Sequence, residues 1–336
     1  MPFRQKETAR PKGSPHSYHA TRKEATMRLT LRTLARKLCV LVGVFALLST
    51  LFLLHGVQTA FAIAPKPPTD WSFYMFTPNS SQAYTLGYNQ GKFDAGFNPV
   101  VDSEVVLDFG GPSGPGDGTL NYSAIESASE QFALGYYVGT GADSTSVVTL
   151  GLGTNNSADV TYNDGVTWAH TVKAVANWVS ANAGQAVIVG ANDIEPGWSS
   201  FSAAKSWVQG FIAGGGSFYL NFGSADGCPQ YSTGNGGCAN GWNQDDVYYV
   251  SWGAAPAFAT PEIYYDFMPR QWSMISLYGK QKYSSPIYFQ GPWDEYDRDT
   301  STLTQQQAWN DLWTDLNNNS LPTYMPYSLE IHLASF

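Results

Sequence analysis

The 336 residues carry 18 Lys+Arg against 27 Asp+Glu, a net charge of −9, with 43% hydrophobic, 15% aromatic and 13% charged residues. The charge is divided: residues 1–62 hold 10 basic and 2 acidic residues and residues 63–336 hold 8 and 25, so the leader is +8 and the body −17. A body so poor in basic groups cannot neutralise a phosphate backbone, which excludes a nucleic-acid partner, and its aromatic, charge-poor composition excludes disorder.

Residues 1–26 are polar and read either as an overlong start, with Met27 the natural first residue, or as a cytoplasmic tail. Arg28, Arg32, Arg36 and Lys37 then precede an uncharged apolar run, 38–54, and Ala60-Phe61-Ala62. Basic flank, apolar run and small-x-small site in that order predict a secretory signal over 27–62, cleaved after Ala62. The run is also close to bilayer-spanning length, so an uncleaved N-terminal anchor is the alternative. On either reading the acidic body is exported, and only the leader touches a membrane. Cys39 lies in the apolar run, which leaves Cys228 and Cys238 flanking a Gly/Ser/Asn-rich loop. Outside the cell these two are expected to form a disulfide.

A Pro-rich linker, 63–70, leads into a single domain, 71–336. Apolar runs rich in Val, Ile, Tyr and Phe predict strands at 104–109, 147–151, 186–190, 218–222, 247–252, 262–265 and 286–289, with 71–76 or 327–331 as an eighth. Helices are expected at 122–136, 168–181, 202–212, 269–278 and 304–316. Val172, Val175, Ala176 and Val179 stand at helical spacing, and Pro269 suits a first turn. Strands alternating with helices imply a parallel sheet, and the predicted fold class is α/β, a single (β/α)8 TIM-like barrel behind the signal or anchor segment.

In such a barrel the C-terminal strand ends converge on one mouth, where chemistry is placed. Asp193 and Glu195 end the apolar run 186–191; two apart in extended chain, they share a face with Cα atoms about 6.5–7 Å apart. One protonated acid and one ionised partner are what glycosidic cleavage needs, and like charge at close range raises one pKa. The competing reading is a surface Asp-x-Glu on a loop. Asp108, closing the first of the predicted runs, is a third catalytic candidate, or else caps its own turn. Asp226 and Glu262 are candidates for substrate contact, against shaping the disulfide loop and facing the barrel interior respectively. Asn192 joins the substrate-binding set. Asp294, Glu295 and Asp297 read as a solvated loop.

Trp198, Trp252 and Trp293, with Trp242 and Tyr248, Tyr249, Tyr264 and Tyr265, fall at or near strand ends, where flat rings suit sugar faces. Trp178, Trp207, Trp272, Trp309 and Trp313 read as core. The body has two histidines, His170 and His332, from which neither a metal site nor a Ser-His-Asp set can be drawn. Gly110-Gly111 and Gly214-Gly215-Gly216 lack the spacing of a Walker loop or dinucleotide fingerprint, so no metal and no cofactor are expected.

Val105-Val106-Leu107-Asp108-Phe109-Gly110, Gly153-Thr154-Asn155-Asn156, Gly190-Ala191-Asn192-Asp193-Ile194-Glu195-Pro196, Asn221 to Cys228, Gln271-Trp272 and Phe289-Gln290-Gly291-Pro292 resemble segments of a group of secreted bacterial proteins with a glycoside-hydrolase-like TIM barrel. The resemblance covers about residues 70–333. More distantly, Asp108 with Asp193-x-Glu195 is similar to the pattern of the family-twenty-five lysozymes, which are muramidases. That resemblance implies Glu195 as general acid, Asp193 as stabiliser or orienting partner and Asp108 as electrostatic helper. Two functions follow as expectations: a secreted glycoside hydrolase acting on a cell-wall or environmental polysaccharide, or a non-catalytic glycan-binding or cell-surface barrel. The −17 body favours neutral or weakly charged glycans.

Overall fold

Strand and helix alternate along the body, and every strand pairs in parallel with its neighbours. The computed structural model describes residues 65–112, 120–142, 145–157, 160–232, 234–296 and 301–334; the leader lies outside them. The order is β1 Asp70–Tyr74, α1 Ser80–Ala95, β2 Ser103–Asp108, α2 Tyr122–Gly139, β3 Val148–Asn155, α3 Tyr162–Asn182, β4 Ala186–Asp193 and α4 Phe201–Ala213. It continues with β5 Tyr219–Asn221, α5 Gln244–Tyr248, β6 Ala257–Ala259, α6 Met268–Tyr283, β7 Trp293–Asp294, α7 Gln305–Asn318 and β8 Leu329–Leu333. The sheet order β6-β5-β4-β3-β2-β1-β8-β7 gives a TIM-like α/β fold with eight parallel strands in a curled sheet. Backbone bonds also run between the segment after β6 and that around β7: Gln290 N–H to Ala259 O, 2.8 Å, Trp293 N–H to Pro261 O, 2.8 Å, and Ile263 N–H to Trp293 O, 2.9 Å.

Strand ends and helix starts follow from local chemistry. Asn79, Asn121, Thr161, Ser200 and Thr304 each accept a backbone N–H at a helix start, with reciprocal capping boxes at Thr161/Asp164 and Thr304/Gln307. Within the curl, a Cβ placed on Gly151 would lie 3.0 Å from Val106, 3.1 Å from Ala191 and 3.3 Å from Leu220, so these residues of β2 to β5 meet on the inner face. Outside, α1 and α2 approach so closely that their glycines interlock. A Cβ on Gly87 would sit 2.0 Å from Phe132 O, and one on Gly135 2.1 Å from Tyr84 O.

Three of the predicted strands are not formed. Residues 247–252 lie in α5 and the π-helical turn Tyr249–Gly253. The Val-Tyr-Tyr-Val run reads as strand, yet Asn243 and Asp246 form a capping box that starts a helix just before it, and the sixth strand is Ala257–Ala259. Residues 262–265 and 286–289 bury Ile263, Tyr264, Ile287 and Phe289 but form no ladder: Glu262 makes a single bridge to Trp293, and β7 begins only at Trp293. Both 70–74 and 329–333 are strands. Helix α1 gives no apolar stripe in sequence because its buried face is Ala83, Gly87, Gln90, Gly91 and Asp94, shaped for close approach. Cys228 and Cys238 form the expected disulfide. Among the described residues no helix is long and apolar enough to cross a membrane.

The glycine interlock is testable. Gly135→Ala drives a methyl into the α1 backbone and should lower stability by about 1–3 kcal/mol or more, whereas Gly184→Ala, which meets nothing within 4 Å, should stay within about 0.5 kcal/mol. Urea unfolding of both variants reads the difference; equal midpoints would contradict the close helix approach.

Candidate active site

Because all the strands are parallel, their C-terminal ends lie at one end of the sheet. Tyr74 ends β1, Asp108 ends β2 and Asp193 ends β4, while Asp226, Glu262 and Glu295 follow β5, β6 and β7. Asp108 pairs in register with Gly153 and Asp193 with Asn155, so the two acids stand one inner-face step apart, and Val106 packs over the glycines at 151 and 153.

The chain beyond β4 is held extended by neighbouring amides. The Asn156 side chain brackets Glu195, accepting its N–H at 3.0 Å and donating to its carbonyl at 3.1 Å. Asn221 Oδ1 accepts from Ile194 N–H at 3.2 Å and its amide donates to Ser251 Oγ at 2.7 Å. A Cβ on Gly223 would lie 2.4 Å from Ile194 O, so only glycine lets the ends of β4 and β5 come this close. Asp226 reaches over Gly197, where a Cβ would meet its carboxylate at 2.6 Å.

Asp193, Glu195 and Glu262 each place a carboxylate oxygen within 4.8 Å of the others. They are 4%, 9% and 5% exposed, with Glu195 the most open. A proton held on Glu262 favours the carboxylate form of Glu195 beside it. The Tyr264 hydroxyl donates to Glu262 at 2.9 Å, and that of Tyr74 donates to Glu295. Asp108 accepts from Gly110 N–H at 3.1 Å. Among the described residues no cation pairs with Asp193, Glu195 or Glu262.

Burial and crowding together hold protons here. Burial, then Glu195, Asp108, Glu295 and Asp226, push Asp193 well above the usual carboxylate range. Burial and Asp226 raise Glu195 to about 7, while the neighbouring Glu262 and Ser224 side chains act to lower it. Glu262 is raised well above its ordinary value by burial, then by Glu195 and Asp193. The phenols of Tyr74 and Tyr264 are pushed up by burial and the surrounding carboxylates, which keeps both as donors.

The structure thus gathers Asp108, Asp193, Glu195, Asp226 and Glu262 at one end. It adds Glu295, expected in a solvated loop but 5% exposed and bonded by Tyr74; Asp297 lies outside the described residues. Tyr74 and Asn156 are the other contributors that sequence reasoning passed over, and each sits at the end of a strand. Trp198 is 43% exposed, and its N–H closes a turn onto Glu195 O at 3.2 Å. Asn192 occupies the alternate pleat from Asp193 and is buried. Trp293 is fully buried, stacked on Phe222 at 4.6 Å, and offers no open face. Trp252 stands apart, against Phe258 and Tyr288. The disulfide closes the loop beside Asp226, whose carbonyl accepts from Ala239 N–H, so Asp226 both shapes that loop and faces the acids.

Among the described residues Asp193, Glu195 and Glu262 form the one group able to hold a metal ion. An all-oxygen donor set suits magnesium or calcium rather than zinc. Compared with known proteins, the chain matches no family model, no curated protein and no solved structure.

Below these acids Glu104, on the inner face of β2, is 1% exposed; Thr260 donates to it at 3.0 Å and burial raises its carboxyl from 4.5 to about 8. A carboxyl with a raised folded pKa favours the fold below its unfolded value and loses that contribution as pH climbs through the folded one. Glu104→Gln should therefore raise the melting temperature at pH 8 and change it little at pH 5. Equal melting temperatures at pH 8 would show that Glu104 ionises in place without cost.

Proposed function

We propose that the protein is a secreted glycoside hydrolase acting on a neutral or weakly charged cell-wall or environmental polysaccharide. The observation that carries this reading is the buried trio of Asp193, Glu195 and Glu262 at the strand ends, with Glu195 titrating near neutrality at its open side. The resemblance of the segments around Asp108 and Asp193 to glycoside-hydrolase-like barrels agrees with it, as does register. From Glu104 the strand pairings lead one way round to Glu262 and, extended through β5 and β6, the other way to Ala254, a stagger of eight residues. That is the shear of a closed (β/α)8 barrel.

In the mechanism Glu195, protonated below about pH 7, donates its proton to the glycosidic oxygen as the bond breaks. The proton held on Glu262 then supports the Glu195 carboxylate beside it. Asp108 stands beside the positive charge that develops on the sugar while Asp193 orients the site, and a water that gives its proton to the Glu195 carboxylate adds to the sugar carbon, which completes the hydrolysis and restores the acid. The carboxylate oxygens of the trio lie within 4.8 Å of one another. The disulfide is compatible with an extracellular location, and the leader supplies the route in this reading.

The same closeness favours a second reading, a non-catalytic glycan-binding barrel whose three carboxylates hold a divalent cation. The two separate in one set of assays. Glu195→Gln should lower kcat for reducing-end release by about 10²–10⁴-fold with an unchanged melting temperature, and the wild-type rate should fall as pH rises through about 7. Saturable glycan binding without turnover at any pH, with a melting temperature raised by calcium, would support the second reading instead.

A further inference from the structure

Away from the strand-end acids, the outer layer over β5 and β6 is thin. The five-residue α5 and the π-helical turn Tyr249–Gly253 stand where other crossovers carry a full helix, such as the 21 residues of α3. The short cover leaves a cleft of about 500 Å³, lined in part by Phe201, Lys205, Asp245, Tyr249, Trp252 and Tyr283. That lies within the roughly 300–1,000 Å³ of small-molecule sites. π-Helical turns are rare and gather at functional sites; this one places both Tyr249 and Trp252 on the cleft wall.

The rings are held in place before any ligand arrives. The Trp252 indole N–H donates to Ser285 Oγ at 3.0 Å, and its ring leans on Phe258 and Tyr288. Tyr283 stacks on Tyr248 at 5.3 Å, donates to Asp245 at 2.8 Å and is still 48% exposed. Charge is balanced as well. Lys282 pairs with Asp245 at 2.8 Å, and Lys205 lies 5.6 and 5.4 Å from the Phe201 and Tyr249 ring centres with Asp246 nearby. In a body of −17 this cleft is lined by two acids, Asp245 and Asp246, and by Lys205, and Lys282 pairs with Asp245. Its carboxylates oppose an anion and its lysines a cation, while rings with hydroxyl, carboxylate and ammonium groups at their edge suit an uncharged polyol ring.

We propose that this flank cleft is a second saccharide site, taking a neutral pyranose unit of a polysaccharide chain. The proposal rests on the glycan reading of the strand ends, with which the cleft shares no lining residue. Its role is to hold the polymer on the protein while the strand-end acids act elsewhere along it.

The test uses the full chain carrying Glu195→Gln, which cannot consume the ligand, titrated calorimetrically with cellohexaose and with chitohexaose. Two binding events are expected for the preferred probe. Tyr249→Ala and Tyr283→Ala should each weaken one of them by about three- to tenfold, the loss of one ring contact, and Lys205→Ala should weaken the same event without removing a ring. In the otherwise wild-type chain these changes should slow attack on insoluble polymer and leave kcat/KM for the hexasaccharide unchanged. A binding curve indifferent to all three substitutions, or no binding of either probe, overturns the flank site. A wild-type chain that hydrolyses nothing but binds in a Tyr249- and Tyr283-sensitive way overturns the catalytic reading and keeps the flank site.

Discussion

Three carboxyl groups, Asp193, Glu195 and Glu262, brought to one buried end of a parallel sheet do not all ionise at neutral pH. Two unit charges 4.8 Å apart repel by about 3–4 kcal/mol at an effective dielectric of 20, comparable to holding a proton about two to three pH units above its ordinary range. The neighbours answer this constraint rather than relieve it. Tyr74 and Tyr264 donate to Glu295 and Glu262, and Asn156 fixes the backbone of Glu195. No cation among the described residues neutralises the trio. The cost of assembling them is borne by the rest of the fold, and it is the physical origin of an acid that titrates near 7.

Parallel topology makes the convergence unavoidable once an acid stands at or after most strand ends. What it does not provide is room. Gly151 and Gly153 let Val106 pack against β3, Gly223 lets β5 close on Ile194, and Gly197 admits the Asp226 carboxylate. Outside the sheet the same device works for packing, with Gly87 and Gly135 locking α1 to α2 and Gly165 and Gly210 locking α3 to α4. The one place where the outer layer is thin, over β5 and β6, is where the aromatic cleft opens.

Much of this was legible in sequence wherever apolar periodicity and turn chemistry agreed. The strands carrying Asp108 and Asp193 and the helices 122–136, 168–181 and 304–316 were of that kind. Legibility failed where tertiary context overrode local signal. The run 247–250 looks like strand but follows a capping box, and β7 is only two residues long, so its position could not be read and Glu295 was assigned to solvent. Tyr74 and Asn156 have no signature of their own, because their role comes from the strand end that presents them.

The central claim is that the trio retains protons at neutral pH. Infrared titration of the carboxyl stretch, comparing the full chain with Glu195→Gln and Glu262→Gln, measures this directly. A protonated-carboxyl band that persists at pH 6.5, fades through about 7 and above, and shrinks in both variants is the expected result. Complete ionisation of every carboxyl by pH 6, with no difference in either variant, would contradict it.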